Sequence, residues 1–415
     1  MNVLTKIKAG AIQYVLVLSV IIIILLFAFI SLVFLQKKTF LKSNLYKETI
    51  HASYLSFDYL SKQEIPYDTE TKLTFTEHTY EDTRILKKRW GVFDLAIVNA
   101  ELKNEKTQKI ALLGNVNEHR KALYLQENNQ PLKLVGNTKI TGDVSLPKRG
   151  VSTGNIAGTS YYGNKLVYGE VATNANQLPA IQNLNHLKDL SSGVIPYDVT
   201  YFNLEEDLQL NQSFADETLL FETTRDLTLR NITLQGNIIL ISSTKIEIDA
   251  SAKLENIIVI APEIVVKESA KISCQLVASK SILVKVNARM LYPSALILME
   301  DNTSKKENST IEIANNTDIR GAVLYHSEKK EVNYEAQVFV HEKSTITGEV
   351  YCNKNLELNG SVYGFVYAGG FITKQFGGVF VNHIYNGIIN SEAISENYCG
   401  LFIDQNNVKV AKWLE

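Results

Sequence analysis

The sequence predicts a mainly β protein: a single N-terminal transmembrane helix that continues into a stalk, then a small β domain, then a parallel β-helix (β-solenoid). Three observations support this fold class. Residues 9–35 carry no charge, the apolar period changes to two after residue 66, and a short motif recurs every 18 residues between 230 and 300.

The composition narrows the class of protein. With 415 residues, 45% of them hydrophobic, and a formal net charge of -2, the chain is neither disordered nor collagen-like. The near-neutral charge also argues against a nucleic-acid-coating protein, so we expect no nucleic acid partner. The 35 asparagines greatly outnumber the 7 prolines. We therefore expect Asn to form many turns, because it tolerates the left-handed backbone region.

Residues 11–36 are the predicted transmembrane helix. The apolar window 11–35 would reach about 37 Å as a helix, more than the ~30 Å hydrocarbon core of a bilayer. The run ends in Gln36, Lys37 and Lys38 without the small-residue cleavage site of a secretory signal, which favours an anchor. The expected partner of this segment is the lipid bilayer. Basic residues are nearly balanced across the span, so charge alone does not set its orientation.

The basic leader, residues 1–10 (MNVLTKIKAG), is followed at once by the apolar run. This start resembles type IV prepilins and the minor pseudopilins of type II secretion. The resemblance implies that a peptidase cuts after Gly10, that Ala11 becomes the mature N-terminus, and that the N-terminus is cytoplasmic with the C-terminal domain in the periplasm or at the cell surface. Val15 stands where the family usually has glutamate. An ordinary signal anchor with a helical spacer is the alternative.

Residues 37–65 are predicted to continue the helix as an amphipathic stalk, since neither Gly nor Pro occurs from Phe40 to Gln63 and Pro66 would end the helix. The predicted apolar stripe consists of Leu41, Leu45, Ala52, Leu55 and Tyr59.

Residues 66–131 are predicted as the small β domain. The stretches 72–76 and 93–98 alternate as half-buried strands, and 101–109 forms a charged turn. Trp90 is expected in the core.

Residues 132–390 are predicted as the parallel β-helix, with a helical insertion near 178–190 and a solvated loop at 300–309. The motifs Ala252-Lys253-Leu254, Ala270-Lys271-Ile272 and Ala288-Arg289-Met290 recur at an interval of 18 residues, with apolar runs between them. Such a repeat predicts coils that stack successively. Asp318–Gly321 and Thr345–Gly348 echo Lys139–Gly142. Residues 133–171 and 343–390 resemble bactofilins, which implies a polymer-forming scaffold. Residues 391–415 are predicted as a C-terminal cap.

The sequence provides no evidence for catalysis, and we expect no catalytic residue, cofactor, metal or small-molecule substrate. The acids of the β-helix are dispersed, although Glu247 and Asp249 fall on the same side of one strand and either Glu263 or Glu268 is expected one coil away. His326, His341 and His383 are isolated, and the Tyr-rich stretches at 160–162 and 363–367 are expected to pack. Cys274, Cys352 and Cys399 form no C-x-x-C pair, which leaves either buried free thiols or one Cys352–Cys399 bridge.

The predicted function is therefore that of a membrane-anchored structural or assembly protein of the cell envelope, a pilin-like minor subunit of a fibre or secretion apparatus that contacts other envelope or fibre subunits. Two alternatives remain: an envelope protein that binds or degrades glycans, and a bactofilin-like polymer scaffold.

Overall fold

A computed structural model describes residues 9–75, 81–116, 121–173, 176–300, 309–329, 334–403 and 407–414. The protein is mainly β, with one long N-terminal apolar helix and a parallel sheet of many strands. It comprises two compact units. Unit 1 consists of Met1–Ser56, Thr71–Ile85 and Val98–Gln108; unit 2 consists of Phe57–Glu70, Leu86–Ile97 and Lys109–Glu415.

The predicted transmembrane helix and stalk form one continuous helix, α1, which spans Ala9–Lys62. It ends before the predicted boundary at 65, because the residue preceding Pro66 is biased away from helical geometry and Ile65 is buried. Residues 1–8 of the predicted leader lie outside the described residues. The predicted helical insertion is present as α2, Leu184–Ser191, and a single 3-10 turn covers Ser391–Ala393.

The strands are short in most of the chain and longest between 345 and 375. The strands before α2 are β1 Thr71–Leu73, β2 Glu81–Trp90, β3 Phe93–Leu102, β4 Glu105–Asn115, β5 Leu123–Leu125, β6 Leu132–Val135, β7 Lys139–Thr141, β8 Val144–Ser145, β9 Val151–Thr153, β10 Asn155–Ile156, β11 Thr159–Ser160 and β12 Val171–Ala172. The next are β13 Val199–Tyr201, β14 Gln209–Gln212, β15 Thr218–Thr223, β16 Leu227–Leu229, β17 Thr233–Gly236, β18 Ile238–Ser242, β19 Lys245–Ile248, β20 Lys253–Ile260, β21 Glu263–Val266, β22 Lys271–Ala278, β23 Ser281–Val284 and β24 Arg289–Met299. The last are β25 Thr310–Ile313, β26 Asp318–His326, β27 Val338–Val340, β28 Thr345–Leu358, β29 Ser361–Gln375, β30 Gly378–Val381, β31 His383–Tyr385, β32 Ile388–Asn390 and β33 Val408–Leu414.

Unit 1 combines part of α1 with antiparallel strands. Strand β1 pairs with β2, so that Thr71 lies opposite Ile85. Ala52 of α1 packs with Ala100 and Leu102 in its small apolar core. The predicted strand at 72–76 is shorter than expected, and its last residue lies outside the described part of the chain.

The described part of unit 2 contains three long parallel ladders and a shorter parallel sheet of β31, β6 and β9. Ladder 1 contains β13, β15, β18, β20, β22, β24, β26, β28, β29, β5, β8 and β12; ladder 2 contains β16, β19, β21, β23, β25, β27 and the end of β28; ladder 3 contains β14, β17, the first residues of β20, β22, β24, β26, β28 and β29, and then β32 and β7. The inward residues form aligned apolar columns, such as Ile246, Ile264, Ile282 and Ile311, all fully buried. The 18-residue interval is confirmed, because Lys271 lies opposite Arg289.

The order of the strands in these ladders departs from the expected succession along the chain. Val366 of β29 pairs with Leu123 of β5, and Ile388 of β32 pairs with Lys139 of β7. The segment 121–172 therefore stacks beyond the C-terminal strands instead of beginning the ladders, and β5 belongs to ladder 1 rather than to the predicted small β domain. The sequence repeat reports only local neighbours, so it could not indicate this long-range pairing.

The middle strands of ladder 1, such as β18, β22 and β24, are buried on both faces. Their outward side packs against Leu187 and Leu190 of α2 and against Trp90, which is 2% exposed as predicted for a core residue. Two outward polar side chains are buried here. Gln275 accepts the backbone N–H of Val92 at 2.8 Å, and Glu349 accepts that of Leu401 at 2.6 Å. Burial on both faces explains why these strands are continuous apolar runs without alternation.

The turns that lead into ladder 3 use the left-handed backbone region. Ser269, Asn287, Asn316 and Lys343 occupy equivalent positions with φ of 61°, 60°, 59° and 61°. Seven of the fourteen non-glycine residues with positive φ in the described chain are asparagines. The prediction that Asn forms turns is thus confirmed, and its cause is the low cost of this conformation for Asn.

Asn287→Ala is expected to lower the free energy of unfolding by about 1 kcal/mol, because alanine pays the left-handed penalty that Asn and Gly largely avoid. Asn287→Gly is the matched control and should leave it nearly unchanged. Thermal melts of the two purified variants measure the difference. Equal melting temperatures would show that φ does not explain the residue at this turn.

The predicted cap, 391–415, contributes a strand to a sheet. Strand β33 pairs antiparallel with β4, and Leu414 lies opposite Ile110. Trp413 of β33 packs edge-on against Phe57 at 4.7 Å between ring centroids. The alternation of Val408–Leu414 suits a strand at the edge of an antiparallel sheet.

Candidate functional site

The most distinctive surface of the described chain is the first half of α1. By length and composition, this helix is long and apolar enough to cross a membrane. No residue of its most apolar stretch is buried by other described residues. Side chains such as Phe27, Ile30 and Phe34 are 71%, 67% and 68% exposed. A continuous apolar surface of this size is unfavourable in water, so it requires an apolar environment.

Gly10 and Ala11, the predicted processing site, lie in the first turn of α1. A Cβ added to Gly10 would meet nothing within 4 Å, and Ala11 is exposed. No other described residue therefore covers the backbone on the C-terminal side of the predicted cut.

The second half of α1 has a different buried face from the predicted stripe. Of the predicted residues only Ala52 is buried, whereas Leu41 is 52% exposed. The residues that are buried include Thr49, Ser53 and Ser56, each fully. Their hydroxyls donate to the backbone carbonyls of Leu45, Thr49 and Ala52, at 2.7, 3.0 and 2.9 Å. Since these donors are satisfied within the helix, burying them costs little and their small size permits close packing.

Unit 2 holds a buried ionic cluster that the sequence did not indicate. Asp94 is fully buried and accepts the Tyr67 hydroxyl at 2.8 Å, with Lys87 Nζ and Arg89 Nη1 each 3.1 Å from its oxygens. Both cations also lie over the Tyr67 ring. Burial, followed by the charge of Asp94, raises the pKa of Tyr67. Every charge has a partner, so the arrangement links strands rather than exposing a reactive group.

His186 of α2 lies beside this cluster and stays neutral at pH 7. Its Nε2 is 3.2 Å from the Tyr197 hydroxyl. Burial, with the Arg89 guanidinium as the second cause, lowers the pKa of His186 to about 4. A pKa below its unfolded value means that this group contributes stability above pH 6.5 that is lost as the pH falls toward 4.

The dispersed acids of the ladders form ion pairs along the outside. Glu247 lies between Lys245 and Lys267, at 2.6 and 2.9 Å, and hydrogen bonds from these lysines lower its pKa to about 2. Glu263 lies opposite Lys245 on the next strand, one coil away as predicted. Asp249 accepts the Ser251 hydroxyl at 2.8 Å. A carboxylate held ionised in this way is a poor general acid.

His326, His341 and His383 all lie in unit 2. His341 Nε2 lies 3.0 Å from Glu312, and His383 Nδ1 lies 2.7 Å from the Val381 carbonyl oxygen. Burial lowers the pKa of His326 and of His383. Within the described ranges, no group of three or more His, Cys, Asp or Glu side chains is placed to hold a metal ion.

The three cysteines are buried free thiols. Burial raises the pKa of Cys352 to about 12 and also raises that of Cys274, so both remain protonated and unreactive. In the second Tyr-rich stretch, Phe365 and Tyr367 are buried as predicted, whereas Tyr162 in the first is 63% exposed.

A column of three cations lies on the outer side of ladder 3. Lys253, Lys271 and Arg289 are exposed and occupy neighbouring strands. The 18-residue motif contains these three residues, but its spacing predicts only a structural repeat. The sequence signal for a surface site was that the middle residue of each motif is basic.

The class of protein is thus mainly β, with one long apolar N-terminal helix and parallel ladders. No protein-family model matches the chain, and no curated protein matches it in sequence. Among solved structures, the chain is similar to the competence-associated pilin ComZ from Thermus thermophilus, at 9% sequence identity over 92% of this chain and 95% of that chain, with a TM-score of 0.22. At that TM-score the likeness carries no argument about fold or function.

Proposed function

We propose that the protein is a membrane-anchored, pilin-like minor subunit of a cell-envelope fibre or secretion apparatus. The observation that carries this proposal is the single helix Ala9–Lys62, whose first half exposes apolar side chains and whose second half buries small ones. A bilayer would cover the first half, and the ~30 Å core matches about 20 of its residues. The small, hydroxyl-satisfied face of the second half packs within the folded protein.

The processing site belongs to the same proposal. The basic leader and the helix that begins beside Gly10 support cleavage between Gly10 and Ala11. In this arrangement the N-terminus is cytoplasmic, and the β region lies in the periplasm or at the cell surface. Its partners are the lipid bilayer and other subunits of the envelope or fibre.

We also propose that the ladders of unit 2 form a parallel β-helix. Three parallel ladders whose inward residues align in apolar columns support this interpretation, because in a β-helix each turn of the chain contributes one strand to every ladder. A bactofilin-like scaffold would share this architecture, whereas the N-terminal helix favours the anchored subunit.

The experiment is intact-mass spectrometry of the protein purified from membranes of its native host. We expect the wild-type chain to begin at Ala11 and to resist extraction from membranes by alkaline carbonate. Gly10→Val should retain residues 1–10, because the proposed peptidase requires the glycine before the cut.

Ser19→Ala is the matched control, since Ser19 donates only to the carbonyl of Leu16 within the helix and lies away from the cut. It should be processed as the wild type is. A native chain that begins at Met1 would refute the pilin-like assignment and leave a plain anchor. Release into the carbonate wash would refute the anchor itself.

A further inference from the structure

The outer side of ladder 3 concentrates positive charge without internal compensation. Lys271 lies opposite Arg289. Glu255 lies opposite Ser273, so Lys253, two residues earlier, is aligned with Lys271. The three cations therefore follow one another at the ~4.8 Å spacing of adjacent strands. None of them forms an ion pair within the described part of the chain, in contrast to Lys245 and Lys267 on ladder 2.

The neighbouring acids are already neutralised. Glu255 accepts Lys412 Nζ at 2.6 Å, and the same ammonium lies 2.9 Å from Asn256 Oδ1. Asp318, which lies opposite Arg289 on the next strand, binds Arg320 at 3.1 Å. The field of the column is therefore not cancelled by these carboxylates. Like charges on neighbouring strands repel, and a bound polyanion would relieve that repulsion.

The groove beside the column has a volume of about 380 Å³, so it would hold only part of a linear chain. Its lining includes Lys253, Lys271, Ser273 and Tyr292, together with the Glu255–Lys412 ion pair, and Arg289 lies outside it. It thus combines ammonium groups with a hydroxyl and an aromatic ring, which are the groups that bind carboxylates and sugar hydroxyls and that pack against sugar rings.

We infer that this face binds a linear acidic polysaccharide through Lys253, Lys271 and Arg289. The polysaccharide runs across the strands, so that carboxylates on one side of the chain face the column of cations. Three cations are fewer than the phosphate contacts on which nucleic-acid affinity usually depends, which favours a carboxylated glycan. This inference is independent of the proposed cleavage after Gly10.

The test measures binding of the full-length protein, in detergent, to immobilised polygalacturonate, to uncharged dextran and to oligothymidylate. We expect binding to polygalacturonate that weakens with added salt, and none to dextran. The combined variant Lys253→Gln, Lys271→Gln and Arg289→Gln should bind at least about tenfold more weakly, because three cation–carboxylate contacts are lost.

The matched control is Lys148→Gln, Arg149→Gln and Lys165→Gln, which removes two lysines and one arginine from exposed positions outside ladder 3. Its affinity should stay within about twofold of the wild type. Both variants should have the melting temperature of the wild type, since all six side chains are exposed. Unchanged binding by the column variant, equal loss in both variants, no binding by the wild type, or tighter binding to oligothymidylate would each overturn the inference.

Discussion

Gly348→Ala is expected to destabilise the protein by about 4 kcal/mol or to prevent folding. Gly348 has a φ of +146°, which alanine adopts only at considerable cost. An added Cβ would also meet the backbone carbonyl oxygen of Gly321 on the adjacent strand and lie 2.6 Å from the Tyr398 hydroxyl. The ladder cannot move away, because Gly321 lies opposite Gly348, which in turn lies opposite Gly364.

Gly193→Ala is the matched control for this prediction. Gly193 also has a positive φ, +77°, but a Cβ there would meet nothing within 4 Å. It should cost only about 1 kcal/mol, which is the conformational penalty alone. Circular dichroism melts of both purified variants separate the steric effect from the conformational one. If the two variants melt alike, the close approach of the strands at Gly348 is not what requires glycine.

Asp94→Ala is expected to cost 3–5 kcal/mol, roughly the loss seen when one partner of a buried ion pair is removed. Lys87 is only 9% exposed in its side chain, so its ammonium would lose its anion in a place that water scarcely reaches. The Tyr67 hydroxyl would lose its acceptor as well. Chemical unfolding of the purified variant measures the loss.

The double variant Lys87→Met and Asp94→Leu tests whether the buried charge is the cause. It removes both charges and keeps apolar volume, so it should recover much of the stability that Asp94→Ala loses. Arg89, which is 22% exposed, can turn its charge toward water. A double variant as unstable as Asp94→Ala would place the effect in packing rather than in the unpaired ammonium.

Much of the candidate site followed from local sequence. The apolar run of residues 11–35 made a long apolar helix predictable, and the structure contains that helix as part of α1. The 18-residue motif predicted the register of Lys271 against Arg289. Asp318–Gly321 and Thr345–Gly348 share one motif in the sequence, and in the structure Asp318 lies opposite Thr345. Each of these features depends on residues that lie close together in the sequence.

Other features depended on contacts between distant segments. The stalk stripe was correct only in part: Ala52 is buried and Leu45, Leu55 and Tyr59 are half-buried, but Leu41 is exposed. The period of apolar residues could not reveal that Thr49 and Ser53 are buried, because their hydroxyls are satisfied inside the helix. The sequence did not indicate the ion pair of Asp94 with Lys87, because this contact depends on how β2 and β3 pair.

The sequence by itself determined the apolar helix, the β-rich remainder and the repeat, because hydrophobic periodicity and turn chemistry act over a few residues. Only the tertiary structure decided that the segment 121–172 follows β29 and β32 in the ladders and that β33 joins β4. The physical reason is that strand pairing uses backbone groups that are the same in every residue. Partners distant in sequence are therefore selected by the packing of the whole core, and the sequence alone does not name them.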